Sequence, residues 1–324
     1  MCIVTRFQSM LRLLALPLLL ACASAQAQKD VGKLIVGYPP GQSVDVVARL
    51  LVDRLGPVLG RTLIVENMPG QSGSVALGAV ARMPAGGSAL TLSASAALAG
   101  NPFLYNNVRY DSVRDFEPIG LVYDAPLILM VNSKLPIESF RELVAYVKAH
   151  PGAINYSSPG NGSVSHLAMT ELMRRTGIAM THVPYVGAAK SLTDLAAGEV
   201  QVSFDAYAAA QPFLAGGKVR AIAVSSSERL SAAPSIPTLS ESGLDGFDLV
   251  PWVGLLAPAG TPAHTVEKLS QELSKVVRSN EFSQRILALG GRPRASSAEA
   301  FKAFLRSEVT RWGAVIKESG AKLE

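Results

Sequence analysis

The chain has 324 residues, of which 48% are apolar and 17% charged, with a formal net charge of +5. That length allows two domains with ordinary cores, and the composition is too apolar and too weakly charged for a disordered chain. No run of Lys or Arg stands out, so the basic balance gives no argument for nucleic acid.

Residues 1–27 read as a secretory signal peptide and not as part of the fold. Arg6 and Arg12 give a positive start, Leu13 to Leu20 a short apolar run, and Ala23/Ala25 and Ala25/Ala27 two small-residue cleavage frames. Cleavage after Ala25 or Ala27 removes two arginines and leaves a net charge of +3. Both cysteines, Cys2 and Cys22, lie in this leader, so the mature chain has no disulfide, thiolate metal site or Cys nucleophile. Leu19-Leu20-Ala21-Cys22 is a weaker, lipoprotein-like alternative. The apolar run is too short to span a bilayer, and no later stretch is long enough. The expected product is a soluble periplasmic protein.

A strand at 33–38 leads into Tyr38-Pro39-Pro40-Gly41-Gln42-Ser43-Val44-Asp45 and a helix over 44–59. Val47, Leu50, Leu51 and Leu55 fall on one face of that helix, and Gly60 stops it. Strand 62–66, a Pro/Gly turn at 67–73, a small-residue helix from Ser74 to about Arg82 and strand 89–93 follow. Alternating strands and helices make a doubly wound α/β lobe, whose ligand sites lie at the C-terminal ends of strands. The apolar runs Ile119–Tyr123 and Leu127–Val131 mark a crossing into a second lobe.

Helix 137–150 opens that lobe, and strand 153–157 leads into Ser158-Pro159-Gly160-Asn161-Gly162-Ser163-Val164-Ser165-His166 and a helix over 165–176. Strand 180–185, helix 188–197, strand 200–205 ending at Asp205, and strand 219–225 complete it. The run through Trp252 to Ala257 is the return crossing; helices at 262–279, 281–289 and 297–319 end the chain.

The 158–166 stretch is the chemical focus. A strand, a glycine-bearing loop and a helix N-terminus leave unpaired N–H groups at the positive end of a helix dipole, a ready site for an anion. Gly160 and Gly162 let the backbone approach a ligand, and Ser163 and Ser165 can cap the helix or donate to a carboxylate. The loop at 38–45 repeats the plan, so two such loops are expected to face each other across a cleft. Neither contains Lys or Arg. Asp45 can cap its helix or hold the loop in shape, and Asp205 can meet a ligand ammonium group or a backbone amide.

Enzyme chemistry finds little support. Ser163, His166 and Asp205 lack a nucleophile elbow, and the four histidines, His150, His166, His182 and His264, show no metal-ligand spacing. No phosphate-loop motif is present, and no cofactor or metal is expected.

The chain resembles the Bug-type (TctC-like) extracytoplasmic solute receptors of tripartite tricarboxylate transporters over essentially its whole mature length. The resemblance rests on Tyr38-Pro39-Pro40-Gly41 with Ser43 and Asp45, Val65-Glu66-Asn67, Tyr110-Asp111, Arg114-Asp115-Phe116, Asn155-Tyr156-Ser157, Gly160-Asn161-Gly162, Ser165-His166-Leu167, His182-Val183-Pro184-Tyr185, Phe204-Asp205 and Pro258-Ala259-Gly260-Thr261-Pro262. It implies a two-lobed α/β periplasmic binding protein, type II-like, with two crossing segments. Lobe one is expected over 29–125 with 249–324, and lobe two over 126–248. It implies a small organic acid held partly through water, with contacts carried over to Tyr38, Gly41, Ser43, Asp45, Ser95, Ser158, Asn161, Ser163, Ser165, His166 and Asp205. The implied partners are the membrane permease subunits of such a transporter, and the receptor is expected to be a monomer. Gln42, Val44, Pro159, Val164, Val186 and Ala206 depart from the family pattern near the cleft, which leaves the identity of the acid open. Two other functions fit the same shape: a receptor signalling to a membrane partner, and an enzyme acting on a small organic acid.

Overall fold

The computed structural model describes residues 31–319. The expected signal peptide, both cysteines and both cleavage frames lie outside the described residues. The first sheet holds β1 (Val31–Val36), β2 (Thr62–Asn67), β3 (Ala89–Ala94), β4 (Phe116–Asp124), β10 (Trp252–Pro258) and β11 (Arg292–Pro293), in the order β11-β4-β10-β3-β1-β2. The second holds β5 (Leu127–Asn132), β6 (Asn155–Ser158), β7 (Thr181–Pro184), β8 (Val202–Ala206) and β9 (Val219–Val224), in the order β7-β6-β8-β5-β9. The fold is thus two-lobed α/β, with one sheet to a lobe. The chain passes between the sheets twice, from β4 to β5 and from β9 to β10.

Among the described residues ten α-helices cover the sheets: α1 (Ser43–Val58), α2 (Ser74–Val80), α3 (Asn101–Leu104), α4 (Phe140–Ala149), α5 (Val164–Thr176), α6 (Ala188–Ala197), α7 (Tyr207–Ala215), α8 (Ala263–Arg278), α9 (Asn280–Ala288) and α10 (Ala298–Ser319). Most agree with the sequence periodicity within a few residues. Three features are not announced by it. Helix α7 is built on Ala208–Ala210, strong helix formers that give no apolar stripe, and it carries Pro212 inside. A π-turn at Ala96–Gly100 precedes α3, and β11 is only two residues long. Each sheet is also mixed. β1 runs parallel to β2 and β3, and β6 parallel to β7 and β8, but β10 and β5 enter antiparallel to their neighbours.

Strand direction places the loops. β10 starts beside the ends of β3 and β4, with Val253 opposite Ala94 and Trp252 opposite Asp124. The C-terminal ends of β1 and β3 therefore lie at the crossing. In the second sheet Leu127, which starts β5, pairs with Ala206, which ends β8, and β6 runs parallel to β8. The C-terminal ends of β6 and β8 therefore lie at the crossing too. The loops after β1 and β6 therefore each leave the crossing-side end of their own sheet.

Two buried nodes hold the crossing. Ala125 N–H donates to the carbonyl of Pro251 at 2.8 Å, so the two connections are hydrogen-bonded to each other. The Asp124 carboxylate is gripped by Arg292 through Nε at 2.8 Å and Nη2 at 3.1 Å, a bidentate pair. Glu308 on α10 is 3% exposed. Its Oε2 accepts from the indole nitrogens of Trp252 at 2.7 Å and Trp312 at 3.0 Å, while Arg311 pairs with Oε1. One apolar cluster then runs from Leu77 through Phe301, Trp312 and Ile316 of α10 to Leu129, Tyr156 and Leu167 of the second lobe. Replacing Glu308 by Ala strands two buried indole donors and should lower the free energy of unfolding by roughly 2–5 kcal/mol. Urea unfolding measures it; a change below about 1 kcal/mol would mean that the node contributes little.

Candidate ligand-binding site

In lobe one the loop is shaped by Asp45, which lies in the first turn of α1 and is 1% exposed. Its carboxylate accepts from Gly41 N at 2.8 Å, Arg49 Nε and Nη2 at 3.0 Å each, and Asn67 Nδ2 at 2.8 Å. Burial alone would raise this carboxyl, but the bonds from Arg49, Gly41 and Asn67 and the guanidinium charge outweigh it and hold the group below the usual carboxylate range. Asp45 thus faces inward and holds the Pro-Pro-Gly loop, with Gly41 at φ +84° where a side chain would be strained. Asn67 also donates to the Tyr38 carbonyl at 2.9 Å, and the Tyr38 hydroxyl donates to Ser72 O at 3.0 Å. Helix α1 has no side-chain cap, and Ser43 is exposed on its first turn. Tyr38, Gly41 and Ser43 line a cavity of about 420 Å³ whose far wall is the crossing itself: Tyr123, Ala125 and Pro251.

In lobe two the loop is braced differently. Ser158 is fully buried. Its hydroxyl lies 3.0 Å from Gly160 O, 3.2 Å from Gly160 N and 2.8 Å from His182 Nε2. Ser163 N–H donates to Gly160 O, and Ser163 Oγ caps α5 by accepting His166 N–H at 3.3 Å. Gly162, at φ +72°, donates its N–H to His166 Nδ1 at 3.1 Å. Asn161 is exposed at the tip, and Ser165 is buried in the first turn of α5.

Two residues sit apart from these sets. Ser95 is fully buried at the end of β3, where its hydroxyl accepts Trp252 N–H at 3.3 Å, so it anchors the crossing strand. Asp205, 4% exposed, ends β8 at the crossing edge. Its Oδ1 accepts Ala206 N–H at 2.8 Å, while the buried Oδ2 has no protein partner. Burial pushes its carboxyl up to about 6, against the lowering effect of the Ala206 bond.

The residues that shape both loops include several that spacing alone does not single out. Arg49 stands four residues after Asp45 on one helix face, an i,i+4 pair that the sequence does carry. His182 reaches Ser158 only because β7 pairs with β6 in the register Tyr156 to His182, which no local pattern states. A larger cavity, about 570 Å³, includes Asp124 in its lining where the first includes Tyr123, so it opens on the opposite face of β4. Its Arg292 and Arg311 are both paired with carboxylates, and Arg294 lies over the Phe304 ring and 3.6 Å from Asp124. No group of His, Cys, Asp or Glu among the described residues could hold a metal ion, and no described helix is long and apolar enough to cross a membrane.

The family described as the tripartite tricarboxylate transporter family receptor matches residues 47–321. Protein BugT of Bordetella pertussis is 34% identical over 294 residues, 90% of either chain. An R. palustris protein solved with adipate matches with a TM-score of 0.77 at 30% identity, covering 92% of this chain and 100% of that one. MatC from Rhodopseudomonas palustris with bound malate matches with a TM-score of 0.72 at 30% identity, covering 88% of this chain and 98% of that one. With the family match spanning most of its length, the chain belongs to the tripartite tricarboxylate transporter receptors, the Bug-type (TctC-like) solute-binding proteins.

Proposed function

We propose that this protein is a periplasmic receptor that closes two lobes, 29–125 with 249–324 and 126–248, on a small mono- or dicarboxylate and delivers it as a monomer to the permease subunits of a tripartite tricarboxylate-type transporter. Export would follow from the leader at 1–27. The observation that carries the reading is the pair of strand–loop–helix N-termini at sheet edges that both meet the crossing. Adipate and malate in the two related structures support the ligand class.

The charge balance supports a neutral cradle. The Arg49 guanidinium on α1 is engaged by Asp45, and the loops at 41–45 and 158–166 themselves hold no Lys or Arg. Helix-end N–H groups, hydroxyls and bridging water would meet the carboxylate, each neutral bond contributing about 0.5–1.5 kcal/mol net. Several together correspond to roughly micromolar binding, about −8 kcal/mol, a strength suited to a ligand that must be released. The proposed contacts are Tyr38, Gly41 and Ser43 from lobe one and Asn161, Gly162, Ser163, Ser165 and His166 from lobe two. Asp45, Ser95 and Ser158 act by holding loops and crossing in shape. Asp205 lies at the same edge, where its unpartnered oxygen suits a donor on the ligand or a water.

Two measurements test this. Gly162→Val puts a β-branched residue at positive φ and should abolish binding of adipate and malate in calorimetry while the protein stays folded; full affinity would refute the cradle. For Asp205, a folded-state carboxyl raised from an ordinary 3.8 to about 6 means that stability is highest below the unfolded value and falls as pH rises through 4 to 6. Asp205→Asn should therefore raise the thermal midpoint at pH 7.5 and change it little at pH 4. A pH-independent difference would contradict that assignment.

A further inference from the structure

We propose that His182 is a positioning residue for ligand binding: stacked between Tyr156 and His166 and bonded to Ser158, it holds the Gly160–Ser163 turn in the shape that receives the ligand. The inference rests on the carboxylate-receptor reading for its consequence, and on geometry alone for its mechanism.

His182 stands on β7, the outer strand of the second sheet, directly opposite Tyr156 on β6. The two rings stack at 4.8 Å with 18° between their planes. His166, from the first turns of α5, lies on the other face of His182 at 4.1 Å and 6°. The column therefore joins an edge strand, an inner strand and the helix that follows the loop. Its ends reach the turn twice, through His182 Nε2 to Ser158 Oγ and through His166 Nδ1 to Gly162 N.

The proton inventory fixes what each group carries. A hydroxyl has one proton and two acceptor positions. Ser158 Oγ donates to Gly160 O and accepts Gly160 N–H, so its remaining position accepts from His182, whose proton is then on Nε2. His166 accepts the Gly162 amide at Nδ1, so its proton is also on Nε2. His166 is therefore neutral in this arrangement, and a proton added at its Nδ1 removes the acceptor of the Gly162 amide. The titratable groups packed on the column are its own members. Burial pushes His182 down to about 4, with His166 adding to the effect, and burial lowers His166 as well. Burial pushes Tyr156 up to about 12. Among the described residues no charged side chain bonds either imidazole. The prop is thus intact at neutral pH and is dismantled only in acid, below the ordinary histidine midpoint near 6.5.

Nitrogen-15 NMR of the ligand-free wild-type protein tests the mechanism. Both rings should be neutral Nε2–H tautomers at pH 7, should titrate below the ordinary histidine midpoint, and the Gly162 amide shift should follow His166. Titration of both rings near 6.5, or a Gly162 amide that ignores His166, would overturn the proposal without reference to any ligand. Calorimetry with adipate and malate tests the consequence. His182→Phe keeps a flat ring but loses the donor, and should weaken binding about five- to ten-fold, one hydrogen bond's worth. His182→Gln keeps a donor and should stay within about two-fold of wild type. If both variants bind as wild type does and differ from it only in unfolding midpoint, His182 is merely structural and the proposal falls. If the wild type binds neither acid, the ligand-class reading fails and the NMR result alone decides the role of His182.

Discussion

The short antiparallel meeting of the two crossing segments constrains everything built around it. Trp252 opposite Asp124, and Ala125 bonded to Pro251, require the chain to leave and re-enter lobe one side by side. Ser225 extends the constraint into lobe two: its N–H, hydroxyl and carbonyl bond Leu127 O, Leu127 N and Leu249 N. Because β10 and β5 enter their sheets antiparallel to the strands beside them, the C-terminal edges of β1, β3, β6 and β8 all turn toward this seam. The placement of these edges is a consequence of strand direction before any side chain is considered. The same bond ties the two connections to each other, so neither can shift without the other.

The two loops share a plan and differ in how their amides are used. In lobe one Gly41 is taken by Asp45 and α1 is left without a side-chain cap. In lobe two Gly162 is taken by His166 and α5 is capped by Ser163. Protein groups thus consume some of the donors that make a helix start attractive to an anion. Lobe one presents the barer helix end, and lobe two the more rigid turn. A carboxylate placed between them would meet neutral partners on both sides, with the nearest guanidinium already balanced by Asp45.

Much of this was legible in the sequence because local chemistry dictates it. The strand–loop–helix units at 33–58 and 155–176 follow from β-branched runs, turn residues and amphipathic spacing, and the structure forms them within a few residues of those limits. The π-turn at 96–100, the alanine-rich α7 and the two-residue β11 escaped because none has a period to detect. Of the two readings of Asp45, the loop-holding one is what the structure forms; its bond to Asn67, the burial of Ser95 beneath Trp252 and the column through His182 escaped for another reason. Each depends on which strand lies beside which, and residues 45 and 67, 95 and 252, or 158 and 182 are joined only by the fold. Asp205 is the intermediate case: its place at a strand end was readable, its unpartnered oxygen was not.

Glu308 has one more consequence. The chain contains two tryptophans, and both indoles donate to the same carboxylate oxygen, one from the crossing strand and one from the C-terminal helix. The intrinsic indole emission of the chain therefore comes from two rings bonded to one buried carboxyl group beside the crossing, not from fluorophores scattered through two lobes. Any rearrangement that alters the spacing of β10 and α10 acts on both chromophores together. The molecule carries its own optical reporter of the crossing, with no label to attach.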